Sequence, residues 1–204
     1  MHSIFAPVAG DLGRGEPVPM ISGDGVMETQ LSFQVEDGGS MPTSPLQFSF
    51  ETISAKAACD LNARWHSRFP YIHWSNVVRN KAYVCYAAKF EGEYFAVAIW
   101  SSPIARKLDA NKLLELRRMA INGSCPKNTA SRMISYMRKD IKKRFPQIDK
   151  LISYQDTEVH QGTIYKASGW VMVETKTKET DWSRTRGRAK PQSTALKVRW
   201  EFSL

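Results

Sequence analysis

Apolar and polar residues alternate along Leu46–Thr52 (LQFSFET), the period-two pattern of a strand. Ser54–Arg68 follows, with Ala57, Leu61, Ala63 and Trp65 available for one packed face, and predicts a helix. Ala82–Lys89 and Tyr94–Ser101 are β-rich runs separated by Glu91-Gly92-Glu93, a hairpin signal. Leu113–Ile121 (LLELRRMAI) predicts another strand and Asn122–Asn128 a loop. Over Thr129–Phe145 the residues Ala130, Met133, Ile134, Met137 and Ile141 recur at helical spacing, while Arg132, Lys139, Lys142 and Lys143 take other positions. Pro146 stops that helix. Lys150–Tyr154 predicts a short strand, Gly162–Ser168 a short helix closed by Gly169, and Trp170–Thr177 and Ala195–Ser203 the last two strands. Helices and strands mixed in this order predict an α+β fold, a mixed sheet with helices laid on it.

The pattern is weak before residue 46. The first 45 residues hold 7 of the 12 glycines and 5 of the 10 prolines, and one basic residue, Arg14. So much punctuation leaves little continuous surface to bury. Residues 1–45 are therefore expected to form an irregular, partly ordered extension with one strand candidate at Met27–Gln34, and 46–204 the globular domain. The 204-residue length suits one such domain. No apolar run reaches the roughly 18–20 residues needed to cross a bilayer. Neither a basic n-region nor an apolar h-region opens the chain, so a cytoplasmic location is expected. Cys59, Cys85 and Cys125 are widely spaced, which excludes a disulfide scaffold and a local cysteine-rich zinc site.

Charge changes the picture. Residues 1–100 carry 7 basic and 10 acidic side chains, residues 101–204 carry 22 and 10, and the whole chain is +9. A strongly basic half fits an anionic partner, a nucleic acid or a phosphate-bearing cofactor, as well as a merely solvated surface. Its densest stretch is the 184–190 loop, with Arg184, Arg186, Arg188 and Lys190.

Two stretches hold candidate chemistry. In NGSCPKNTAS, small residues flank Lys127 and lead into a helix start at Thr129. Free N–H groups and the positive end of the helix dipole make such a turn an anion trap; the competing reading is a plain loop capped by Asn128 or Thr129. In SYQDTEVHQGTIYKASGW, Asp156, Glu158, His160 and Tyr165 lie within ten positions at a strand end. Tyr165 suits a general acid and Asp156 or His160 a base, against the alternative of a core tyrosine and a solvated histidine. No HExxH or similar spacing supports a metal.

These stretches together resemble the GNAT acyltransferases: LELRRMAI, a small-residue loop, an amphipathic helix, LISYQD and GTIYKASGW come in that family's order. The run SYQDxxxHxGxIYxAxxW, with Arg118, Gly123 and Asn128 upstream, narrows the likeness to the phage Mom proteins over about residues 81–173. The resemblance implies a mixed, mostly antiparallel central sheet flanked by helices, with the fourth and fifth strands splayed around an acyl-CoA, acetyl-CoA or another. It implies that Met119, Ala120 and Ile121 present backbone to pantetheine, and that Lys127, Asn128, Thr129, Ala130 and Ser131 cradle phosphates. It gives Tyr165 the role of acid, with Asp156 and His160 handling the amine. It further implies a DNA partner, held by Arg184, Arg186, Arg188 and Lys190, with a nucleobase amine acylated as protection from host restriction. A flipped base would then find stacking partners among Trp74, Trp170 and Trp182. A GNAT enzyme for a small amine or peptide, and a non-catalytic nucleic-acid-binding module, are the alternatives.

Overall fold

The computed structural model describes residues 40–158, 161–173 and 197–204. The strand candidate Met27–Gln34, His160 and the 184–190 loop lie outside the described residues. The elements are β1 (Ser49–Thr52), α1 (Ala55–Trp65), α2 (Ser75–Val78), β2 (Tyr83–Phe90), β3 (Glu93–Ser101), β4 (Leu113–Ile121), α3 (Thr129–Arg144), β5 (Lys150–Asp156), α4 (Thr163–Ala167), β6 (Val171–Val173) and β7 (Lys197–Ser203). A single 3-10 turn, Pro45–Gln47, precedes β1.

The strands form one sheet in the order β1-β2-β3-β4-β5-β7-β6. Among the described strands only β4 and β5 run parallel; the other neighbours are antiparallel. The parallel step follows from connectivity, because α3 must carry the chain across one face to return it in the same direction.

Two apolar clusters sit on opposite faces of the sheet. On one, α3 buries Met133, Ile134, Met137 and Ile141 against Trp100, Leu114, Leu116 and Leu151, and the cluster continues to Tyr165, Trp170 and Trp200. On the other, Ala55, Ala58, Cys59 and Leu61 of α1 cover Cys85, Ala87, Val97, Ile99 and Ala120. The α1 face differs from the expected one: Ala63 is exposed and Ala57 half-buried, whereas Asn62 is fully buried. Asn62 turns inward because its side-chain amide donates to the carbonyls of Phe69 and Pro70, at 3.0 and 2.8 Å, tying down the segment after α1. The one-turn helix α2 is likewise absent from the apolar pattern, since four residues show no period.

Candidate active site

β4 is paired on both sides for only part of its length. Leu113–Leu116 pair with Lys150–Ser153 of β5, and there the partnership stops. Beyond it β4 follows β3 as far as Ile121, opposite Ala96, while β5 follows β7 as far as Asp156, opposite Lys197. The two strands diverge, and Met119, Ala120 and Ile121 lie on the flank of β4 that β5 has left. Met119 and Ile121 pack toward the α3 side and Ala120 toward α1, as strand alternation requires.

Tyr165 sits at the point of divergence. Its hydroxyl is 2.8 Å from Ser153 Oγ, on the last β5 residue paired with β4, and Ser153 Oγ donates to the Leu116 carbonyl at 3.3 Å. The ring stacks on Trp200 with 5.3 Å between centres and meets Trp170 edge-on at 5.6 Å. Burial pushes the Tyr165 phenol above its ordinary value, partly opposed by the bond to Ser153. A phenol so placed stays protonated at neutral pH and can only give a proton to a stronger developing base. Helix α4 is anchored by Gly162 in the left-handed region (φ 71°), where a Cβ would stand 2.5 Å from Trp200 Cζ2. Only glycine fits there.

The turn before α3 is uncapped. Asn128 has left-handed geometry (φ 69°) and its side chain makes no capping bond. The Thr129 hydroxyl donates backward to the Pro126 carbonyl at 2.7 Å, and Ser131 Oγ donates to the Asn128 carbonyl at 3.1 Å. No side-chain oxygen of Asn128, Thr129 or Ser131 therefore takes the first-turn N–H groups, and the capped-loop reading is corrected. Lys127, Asn128 and Ser131 line a cleft of about 270 Å³ with Thr163, Ile164 and Ala167 of the α4 region. The lining holds one cation and no acid. Thr129 is instead buried, and Ala130 is half-buried outside this lining.

Asp156 stands at the end of β5, on the other side of the divergence. Arg68 donates to it at 3.0 Å and to Glu158 at 3.2 Å, which fixes the carboxylate beside the segment following α1. Two neighbouring features went unread in the sequence. Glu115 is a buried carboxylate in mid-strand, accepting from the Ile104 N–H at 3.1 Å, and burial raises its pKa against the pull of Arg117, Arg118 and Lys197. Ser153 is a buried hydroxyl within an apolar strand. A polar residue flanked by apolar ones, in LLEL and in LISY, was the available signal for both.

The aromatic candidates divide. Trp170 is buried in the α3-side core between Trp100, Tyr165 and Phe202, so it is not available to stack on a base. Trp74 is 44% exposed, with its ring stacked on His73. Trp182 lies outside the described residues. Among the described residues no group of three His, Cys, Asp or Glu side chains could hold a metal, and no helix is long and apolar enough to cross a membrane. Burial raises the Cys125 thiol to about 11, so this cysteine of the turn is no nucleophile at neutral pH.

The backbone is that of the GNAT acetyltransferases. The GNAT domain of PAT from S. lividans superposes with a TM-score of 0.52 at 15% identity, covering 77% of this chain and 90% of that one. A GNAT family acetyltransferase from Elizabethkingia anophelis, solved with acetyl-CoA bound, gives 0.53 at 10% identity, covering 78% and 99%. Spermidine N-acetyltransferase from Vibrio cholerae, in complex with CoA and spermine, gives 0.52 at 11% identity, covering 78% and 94%. Identities this low establish the shared fold. No curated protein matches the sequence. Residues 47–201, spanning β1 to β7 and every part of the site just described, match the Mom protein family, and the chain belongs to that family.

Proposed function

We propose that this protein is an acyl-CoA-dependent N-acyltransferase that modifies an amine on a nucleobase in DNA, a reaction suited to shielding phage DNA from host restriction. The observation that carries the reading is the Tyr165 hydroxyl at the divergence of β4 and β5, on the helix whose flank lines the Lys127 cleft. Acyl-CoA supplies an activated thioester. The cleft suits its pyrophosphate, because it offers uncapped helix N–H groups and one lysine with no opposing acid. The freed flank of Met119, Ala120 and Ile121 offers strand-like pairing to an extended pantetheine arm, and backbone N–H groups there stabilise the oxyanion.

Asp156 and His160 orient the acceptor amine and take its proton as it attacks the acyl carbonyl. As the carbon–sulfur bond breaks, Tyr165 gives its proton to the departing thiolate. Arg184, Arg186, Arg188 and Lys190 hold the duplex through phosphate contacts, and Trp74 stacks on an extruded base.

Nucleoside mass spectrometry of DNA from cells expressing the protein tests the reading. A mass increment on one nucleoside, absent from a Tyr165→Phe strain, supports it. Acyl transfer to small amines with unmodified DNA overturns the DNA substrate, and absence of acyl-CoA binding by calorimetry overturns the enzyme. Replacing the four basic residues of 184–190 with serine should also flatten the slope of log K against log salt on duplex DNA by roughly 2–4 units. An unchanged slope makes that loop solvated surface.

A further inference from the structure

The α1 side of β4 carries a cluster that this chemistry leaves unused. The pairing of β3 with β4 shifts by one between Ile99 and Trp100: Ile99 faces Arg118 and Trp100 faces Leu116, so Arg117 is the extra residue of a bulge. Bulges re-aim side chains. Here both arginines turn to the face covered by α1. Arg117 Nη1 donates to the Asn76 carbonyl at 3.3 Å, and the Arg118 guanidinium lies 5.1 Å from the Phe69 ring centre.

The carboxylate whose charge acts on both guanidiniums is Glu115, whose Oε2 already accepts the Ile104 N–H at 3.1 Å and which makes no ion pair with either arginine among the described residues. One carboxylate neutralises one guanidinium, which leaves at least one surplus positive charge on a half-buried pair. The Nε atoms of Arg117 and Arg118 are shielded from solvent and lack a hydrogen-bond partner among the described residues. Arg118 directs Nη1 at the carbonyl of Arg117, 2.6 Å away. Two adjacent cations repel one another in the empty protein, and an anion reaching the half-buried guanidiniums offsets that repulsion. The guanidinium fork matches phosphate oxygens two at a time.

We propose that Arg118, supported by Arg117 and Phe69, binds a phosphate group of the acceptor next to the reacting amine. This rests on the reading of the protein as an acyltransferase with a phosphate-bearing acceptor. The position agrees: Arg118 precedes Met119 on the flank that β5 has left, on the sheet face opposite the α3 core, whereas the Lys127 cleft opens at the α3 terminus. The cofactor's own phosphates are thus provided for elsewhere. Two sources share the chemistry, a phosphodiester of a polynucleotide strand and the monoester of a small phosphorylated amine.

Calorimetry on the full chain separates them, using trinucleotides, the matching nucleosides, inorganic phosphate and phosphoethanolamine. Wild type should bind at least one trinucleotide about 10-fold or more tightly than its nucleosides, and Arg118→Met should cut that preference several-fold with acetyl-CoA affinity unchanged. Arg144→Met, on the outer end of α3, should keep it. Equal or tighter binding of phosphoethanolamine and phosphate assigns the site to the small acceptor. A wild type without preference for phosphorylated ligands, or an Arg118→Met protein that retains it, overturns the proposal. Should the variant not fold, phenylglyoxal labelling of wild type reads the same site: trinucleotide must slow modification of Arg117 and Arg118, and unslowed labelling overturns it. Because all these are binding measurements, failure of acyl transfer to DNA leaves their outcome readable.

Discussion

The Tyr165 hydroxyl and Ser153 Oγ lie 2.8 Å apart, joining α4 to β5 at the residue where β5 leaves β4. The bond explains how a tyrosine only 8% exposed keeps its one polar atom satisfied. It also points that atom at the divergence rather than into the Trp170–Trp200 cluster.

Tyr165→Phe should lower kcat by about 10²–10⁴-fold while acetyl-CoA affinity stays within twofold, as removal of a general acid does. With the phenol held above its ordinary value of 10.0, the wild-type rate should show no alkaline decline from this group below that pH. Steady-state kinetics across pH checks both statements; wild-type turnover in the variant would leave Tyr165 a core residue alone.

Lys127→Glu places a negative charge in a cleft whose lining otherwise holds no acid. CoA and dephospho-CoA, which share the pyrophosphate, should bind about 10-fold or more weakly, and pantetheine alone should be unaffected. Parallel losses for all three ligands in calorimetry would mean that the turn is damaged rather than recharged.

Gly162→Ala adds a Cβ 2.5 Å from Trp200 Cζ2 at a φ of 71°. Displacing an indole that stacks on Tyr165 and straining the backbone together should cost about 2–4 kcal/mol. Urea unfolding measures the loss, and a midpoint unchanged from wild type would show that the Trp200 ring moves aside freely.

Burial raises the Glu115 pKa above 4.5, so folding favours its protonated form. A carboxyl raised in the folded state stabilises below its unfolded pKa, and that contribution is lost as pH rises through the folded value. Glu115→Gln keeps an acceptor for the Ile104 N–H and removes the titration. Its stability relative to wild type should therefore grow between pH 4 and pH 7 in urea titrations. The opposite trend would show that Arg117 and Arg118 outweigh the loss of solvation.

Strand β4 and helix α3 were legible from local pattern because each has a long period and a clear stop: Ile121 before a polar turn, and Pro146 after the α3 apolar stripe. The order of elements followed from the same local patterns, whereas the splayed pair came from likeness to a family rather than from periodicity. Asn62 was illegible, since it is buried by amide bonds to a loop and not by an apolar face. The Tyr165–Ser153 bond and the Arg68–Asp156 pair were also out of reach; the latter joins residues 88 positions apart. Such contacts are set by which strands become neighbours, and no local window contains that information. The Arg117 bulge belongs to the same class, because a bulge is a property of two strands counted against each other.

Placing β7 between β5 and β6 has a consequence for how the molecule is made. Trp200, against which Tyr165 stacks, belongs to a strand that must insert beside β5 after α4 and β6 have already been synthesised. On the ribosome, everything up to Val173 emerges with β5 lacking its outer neighbour and Tyr165 lacking the indole it rests on. The paired region of β4 and β5, four residues long, is then braced by β3 on the β4 side alone. The Tyr165 apex accordingly comes together as a late event of biosynthesis, once residues 197–203 have cleared the exit tunnel, and a nascent chain short of that point presents an open β5 edge to any chaperone or neighbouring strand that reaches it first.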